Sequence, residues 1–383
     1  MKSGKNKLTL AVIAGAIAVS CTEPAPQNPS AAAELLSQLE RTVRSGRIMY
    51  GHEDALLYGH NWSPEGAPAS GYDRSDVKEV CGDHPAVLGL DLGGIESAGK
   101  ENLDELWFSD IRNAAAAHHS RGGIVTFSWH VRNPLTGGDA WDTSSTEAVA
   151  SILEGGANHT LFMGWLANLA DFLLSVKDSE GNPIPVIFRP WHEHTGSWFW
   201  WGRNICTTGQ YKALWHMTYD YLTRERGLSN LVWAYSPNTG VDEEGYMERY
   251  PGDGEVDILG FDCYEQPGRD GSFDEANARY AAQLREALSF ITRLGEEHGK
   301  IAALTETGLE GIPCDGWWSE VLLPAVEEYP IAYLLTWRNA WNRPTHFYGP
   351  YAGALCEEDF KRFAQSKKIL FLSDINNPSP NDK

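Results

Sequence analysis

Eight short runs of apolar, β-branched or aromatic residues recur along the chain, each followed by a longer stretch with helix-like patterning. They are RIMYGHED from Arg47, AVLGLDLGG from Ala86, GIVTFSWHV from Gly123, IPVIFRPWHE from Ile184, LVWAYSPN from Leu231, VDILGFDCY from Val256, IAALTETG from Ile301 and IAYLLTWRN from Ile331. Helical stretches between them include SDIRNAAAAHHSRG, TLFMGWLANLADFLLSVKD, YKALWHMTYDYLTRERG and YAAQLREALSFITRLGEEHG. Strand and helix alternating eight times, with no repeat period and no second composition block, predicts an α/β chain folded as a single (β/α)8 TIM barrel. An open doubly wound sheet would not need every strand to end in polar residues.

The ends read differently. MKSGKNKLTLAVIAGAIAVS has a lysine-rich start and an apolar run from Leu8 to Val19, too short to span a membrane as a mature helix. It predicts a signal peptide over residues 1–20. AVSC resembles a bacterial lipobox, implying cleavage before Cys21 and acylation of that cysteine. Residues 21–33 then read as a Pro/Ala-rich lipidated tether, 34–372 as the catalytic barrel and 373–383 as a polar tail. Localisation is expected at the bacterial cell envelope, held by lipid, with the periplasm favoured over the cell surface.

Composition narrows the ligand. The formal net charge is −21, and losing Lys2, Lys5 and Lys7 with a signal peptide takes it three lower, to −24. That argues against nucleic acid, and against any membrane contact beyond the lipid. No cofactor, no metal and a monomer are expected. Besides Cys21 there are Cys81, Cys206, Cys263, Cys314 and Cys356, which allow at most two disulfides in an exported chain. Cys263, in a buried strand, is the expected free thiol. No cysteine or histidine spacing suggests a zinc site.

Barrel enzymes place chemistry at the carboxyl ends of their strands. Here those ends carry His52 with Glu53, Asp91, His130, His192 with Glu193, Asn238, Asp262 with Tyr264, Glu306, and Arg338 with Asn339. Trp129, Trp191, Trp198, Trp200, Trp201, Trp337 and Trp341 join them, a rim suited to sugar. Glu193 ends the fourth strand and Glu306 the seventh, so their carboxyls are expected to face each other across the mouth. Such a pair is the minimal kit for glycoside hydrolysis. Glu193, embedded in aromatics, suits the general acid, and Glu306, between Thr305 and Thr307, the nucleophile. Arg189 is expected deeper in the barrel holding carboxylates, and His194 on the face away from Glu193.

RPWHEHTGSWFWW on the fourth strand, FDCY on the sixth, TETG on the seventh and TWRNAW on the eighth together resemble glycoside hydrolase family 26, over residues 35 to 370 or so. The resemblance implies a retaining β-1,4-mannanase acting on mannan, galactomannan, glucomannan or their oligosaccharides. By position it makes Glu193 the acid/base and Glu306 the nucleophile, with Tyr264 hydrogen-bonded to the nucleophile. His130 and His192 would line the cleavage subsite, Trp198 and Trp337 would be sugar platforms, and Asp262 and Arg338 supporting polar groups. β-1,3-Xylanases and mixed-linkage glucanases share the family, so another β-glycanase is an alternative. Long segments after the first two strands could wall off one side of the cleft, which favours mannobiose as the main product over endo-acting cleavage. A metal-dependent hydrolase built on His192 and His194 lacks further ligands, and a non-catalytic sugar-binding lipoprotein has no need of both glutamates.

Overall fold

The computed structural model describes residue 1, residues 30–266 and residues 272–377. All eight expected strands form: β1 Ile48–Glu53, β2 Val87–Asp91, β3 Ile124–Ser128, β4 Val186–Arg189, β5 Leu231–Tyr235, β6 Ile258–Glu265, β7 Ile301–Leu309 and β8 Ile331–Thr336. Every pairing is parallel, neighbours follow sequence order, and β1 bonds both β8 and β2, so the sheet closes into a (β/α)8 barrel. Pairing of β1 with β2 begins only at Gly51. The start of β1 bonds instead a short extra strand, β9 Ile369–Leu370, through Ile48 and Met49.

The strands are buried along nearly their whole length, as parallel strands covered on both faces must be. Residues of one alternation, including Met49, Val87, Ile124, Ile187, Val232 and Ile258, form one apolar cluster inside the barrel. The other alternation packs against the outer helices, including Phe108–Ser120, His159–Ser175, Thr208–Tyr219 and Phe273–His298. The last begins ahead of the Tyr280 start that its pattern predicts, because Ser272 accepts a hydrogen bond from Glu275 N and two acids occupy the first turn.

Helices run across both expected domain edges. Ser30 caps a helix at Ala31–Ser45, so ordered structure reaches into the expected 21–33 tether. Leu35 and Leu39 of that helix join the barrel-interior cluster and close the end where the strands begin. At the other end, Leu372–Asn376 is helical rather than a loose tail, and Ser373 N donates to the Asp83 carboxylate. Cys81, Cys206, Cys263, Cys314 and Cys356 are all free, against the expected possibility of bridges; Cys263 does lie buried in β6. Cys21 lies outside the described residues, and among those no helix is long and apolar enough to cross a membrane.

Candidate active site

A bulge in β7 positions Glu306. Leu304 pairs with Phe261 and Glu306 with Asp262, so Thr305 is an extra residue in the register. Thr305 and Glu306 therefore both turn toward the mouth. The Thr305 hydroxyl meets Ser236 at 2.7 Å and donates to Asp262 at 2.8 Å, while Tyr264 OH donates to Glu306 Oε2 at 2.6 Å. The alternation resumes at Thr307, whose hydroxyl faces outward to Tyr280 of the covering helix.

Glu193 is carried by a turn. β4 ends at Arg189, and Trp191 and Glu193 then take left-handed φ of 55° and 52°, conformations that cost on the order of 1–2 kcal/mol per non-glycine residue. Surrounding hydrogen bonds hold the turn: Glu193 N donates to Ser236 O at 2.7 Å, Tyr211 OH to Trp191 O at 3.0 Å, and Trp201 Nε1 to His192 O at 2.9 Å. Trp200 Nε1 anchors the same run on Val131 O. The tryptophan-rich stretch is thus mainly scaffold. Trp129, Trp191, Trp200 and Trp201 are fully buried and offer no face to a ligand, correcting their place in the expected rim. Trp198 is the exception, 42% exposed, with Nε1 2.6 Å from Glu193 Oε2.

Arg189 lies beneath Glu306 and Asp262. Its guanidinium bonds Glu306 and reaches Asp262 at 3.0 Å, and all three side chains are buried. One oxygen from each of Glu193, Asp262 and Glu306 falls within a 4.8 Å cluster. Such a donor set could attract a cation, and Arg189 supplies that charge covalently. Burial, and then the Asp262 and Glu306 carboxylates, hold Glu193 well above the usual carboxylate range; the Trp198 indole opposes this. Burial pushes Asp262 up to about 7 against the pull of Arg189. Asp262 is enclosed by Arg189, Ser236 and Thr305, and so braces the site more than it faces a substrate.

His130 and His192 meet beside these carboxylates, with their Nε2 atoms 3.1 Å apart. Burial works against a charge on His130, but Asp91, 2.7 Å from its Nδ1, outweighs it and raises the pKa. Burial, Arg189 and His130 drive His192 well below the ordinary value. His130 is accordingly the donor of the pair. Trp337 stands edge-on to His130 at 6.0 Å and is partly exposed. His194 departs from His192, its ring lying between Tyr211 and Tyr235 in the core, so the two histidines of the HxH pair do not share a site.

Arg338 lies further along the rim. It bonds Asp104 at 2.7 Å and Tyr58 OH at 3.2 Å, and does not reach the carboxylate cluster. Glu53 and Asp91 are buried below the mouth; His52 is enclosed, with Gly349 lying against its ring. Asn339 is a loop clamp, bonding Asp76, Pro350 O and the amides of Tyr348 and Gly349. Sequence reasoning missed Trp141, 47% exposed and stacked on His130 at 5.2 Å and 14°, and Asp104. Both sit on loops away from strand ends, where no periodicity marks them. A cleft of about 550 Å³ opens from Glu193 and Trp198 past Asn238 and Tyr264 to Arg279 and Gln283 on the helix after β6.

Comparison with known proteins agrees with this arrangement. Residues 25–309 match the family model for glycosyl hydrolase family 26. A mannan endo-1,4-beta-mannosidase of Bifidobacterium adolescentis is 34% identical over 367 residues, 91% of this chain but 35% of that protein's length. Another from Bacillus subtilis strain 168 is 28% identical over 70% of this chain and 69% of its own. Among solved structures, the GH26 beta-mannanase BoMan26A of Bacteroides ovatus superposes with TM-score 0.84 at 47% identity, covering 91% of this chain and 96% of that one. An endo-beta-1,4-mannanase from Cellulomonas fimi gives 0.76 at 31%, covering 90% and 76%. With the family model covering most of the chain and the barrel matched end to end, this protein belongs to glycosyl hydrolase family 26.

Proposed function

We propose that this chain is a retaining β-mannanase that hydrolyses β-1,4-mannosidic bonds in mannan, galactomannan, glucomannan or their oligosaccharides and releases mainly mannobiose. The observation that carries the chemistry is the clustering of Glu193 and Glu306 oxygens within 4.8 Å, with Glu306 held by Arg189 and Tyr264. Retaining glycosidases hold their carboxyls about 5–5.5 Å apart, and inverting ones leave room for a water between them.

In the first half-reaction Glu306 attacks the anomeric carbon while Glu193 gives its proton to the departing glycosidic oxygen. A glycosyl ester on Glu306 and a shortened chain result. In the second, Glu193 takes a proton from water, the resulting hydroxide attacks the same carbon, and the Glu306 ester bond breaks. Two inversions give net retention. The raised pKa of Glu193 suits the acid, and the bonds from Arg189 and Tyr264 suit an oxygen nucleophile whose charge is held in place. His130, His192 and Trp337 line the glycone side, and Trp198, on the acid, offers its face to the leaving sugars.

The names of the relatives support mannan as the substrate. Mannobiose release is supported by the loops after β1 and β2, both fastened to the loop after β8. We further propose acylation at Cys21, attachment in the cell envelope, with the periplasm favoured, and a monomeric enzyme. A panel of mannan, β-1,3-xylan and lichenan tests the substrate, and preferential release of xylose or glucose oligomers would overturn it. A Cys21→Ala variant should leave the membrane fraction; unchanged partitioning would refute the anchor.

A further inference from the structure

Tyr264, whose hydroxyl donates to Glu306 Oε2, is itself steered from one side. β6 and β7 pair it with Gly308, two residues beyond Glu306 on the same face of β7. Gly308 has a φ of 155°, and a Cβ there would lie 2.6 Å from Tyr348 Cδ1 and 3.1 Å from Tyr348 Cβ. The missing side chain leaves a notch over β7, and Tyr348 of the loop after β8 fills it. From there its ring meets that of Tyr264 edge to face, with centroids 5.5 Å apart and planes at 73°. Among the described residues, no other aromatic ring touches Tyr264.

Tyr348 is held by its backbone and its neighbours. Asn339, buried just past β8, accepts from Tyr348 N at 3.1 Å and from Gly349 N at 2.8 Å, while its own amide donates to the Asp76 carboxylate and to Pro350 O. Two further contacts join this loop to the end of β7: Gly311 N donates to Phe347 O at 2.8 Å, and His346 Nδ1 lies 2.8 Å from Glu310 Oε1. His346 also stands edge-on to the Tyr348 ring at 5.3 Å and 86°. Among the described residues none bonds the Tyr348 hydroxyl, so what the loop delivers to Tyr264 is the flat ring.

From these contacts we infer that Tyr348 is a positioning residue for the nucleophile: its ring fixes the Tyr264 ring, and the Tyr264 hydroxyl in turn fixes Glu306, a role that rests on the reading of Glu306 as nucleophile given above. Displacing that hydroxyl by about 1 Å would break its 2.6 Å bond, and misplacement of this size can cost about 10²-fold in rate. Tyr348 acts through Tyr264 and not on the sugar, so its loss should fall on kcat and leave KM alone.

The test is a double-mutant cycle on the full-length chain, with mannohexaose as substrate. Tyr348→Ala should lower kcat about tenfold or more with KM within about twofold, and Tyr348→Phe, which keeps the ring, should restore kcat to within about twofold of the wild type. In a Tyr264→Phe background, where no hydroxyl is left to place, Tyr348→Ala should cost less than about twofold further. Tyr348→Leu, which fills the notch without a ring edge, should lose about threefold or more in kcat and keeps the test open if the alanine variant fails to fold. An unchanged kcat in Tyr348→Ala would overturn the proposal. So would equal losses from Tyr348→Ala in both backgrounds, the mark of a merely structural residue, or a loss in Tyr348→Phe as large as that in Tyr348→Ala. If Glu306→Ala still turns mannohexaose over, the nucleophile reading fails instead, and the cycle still decides whether Tyr348 works through Tyr264.

Discussion

The Trp198 indole donates to Glu193 Oε2 at 2.6 Å, so the most exposed tryptophan of the WHEHTGSWFWW segment is bonded directly to the proposed acid. That bond favours the charged carboxylate and works against the burial that raises the Glu193 pKa. Trp198→Phe should therefore move the pKa further up, and the alkaline limb of the kcat/KM profile to higher pH. A limb that stays put while KM alone rises would mean that Trp198 is only a platform.

The proposed roles of the glutamates separate by leaving group. Glu306→Ala should lose at least about 10⁴-fold in turnover on every substrate, since no other group forms the glycosyl ester. Glu193→Ala should cost about 10²–10⁴-fold on mannan but far less in forming the intermediate from an aryl mannobioside, whose phenolate departs unprotonated. Equal losses on both, or an inverted first product seen by NMR, would remove the assignment.

Replacing Arg189 by Met should leave Asp262 and Glu306 buried without their cation. The expected loss is about 3–5 kcal/mol in denaturant unfolding, with turnover falling as well. Arg189→Lys should recover part of the stability, because a single ammonium cannot reproduce the two-pronged contact. If Arg189→Met unfolds at the wild-type midpoint, the guanidinium is not what holds this site together.

Stability should also decline in acid for a reason remote from the cleft. His118 is fully enclosed, touches Ala86 O and Gly123, and burial lowers its pKa to about 3. The unfolded chain takes up a proton near 6.5 that the folded chain refuses, so folding loses free energy as pH falls from about 6.5 toward 3. The contribution is on the order of a few kcal/mol at the acid end. His118→Gln should flatten the fall in melting temperature across this window; an unchanged slope would exclude His118 as a source.

The barrel was legible because its signal is repeated. Eight apolar runs with polar endings leave little choice of topology, and the Glu193 and Glu306 pair follows from which strands carry it. What stayed hidden depends on backbone detail. Reading Glu193 as the end of an extended strand predicts that His194 points away, and His194 does, but through two left-handed residues and not through strand alternation. The bulge at Thr305 has no sequence marker either, since Thr-Glu-Thr reads as unbroken alternation. Indole rings were ambiguous for another reason. Trp200 and Trp201 look like Trp198 in sequence, and only the turn decides which of them reaches the cleft.

The helix at Ala31–Ser45 seals the barrel at the pole where the strands begin, and the cleft opens at the other. The two poles are thereby given separate duties. Mutations that loosen the seal should be felt as lost stability well before they change what is cut.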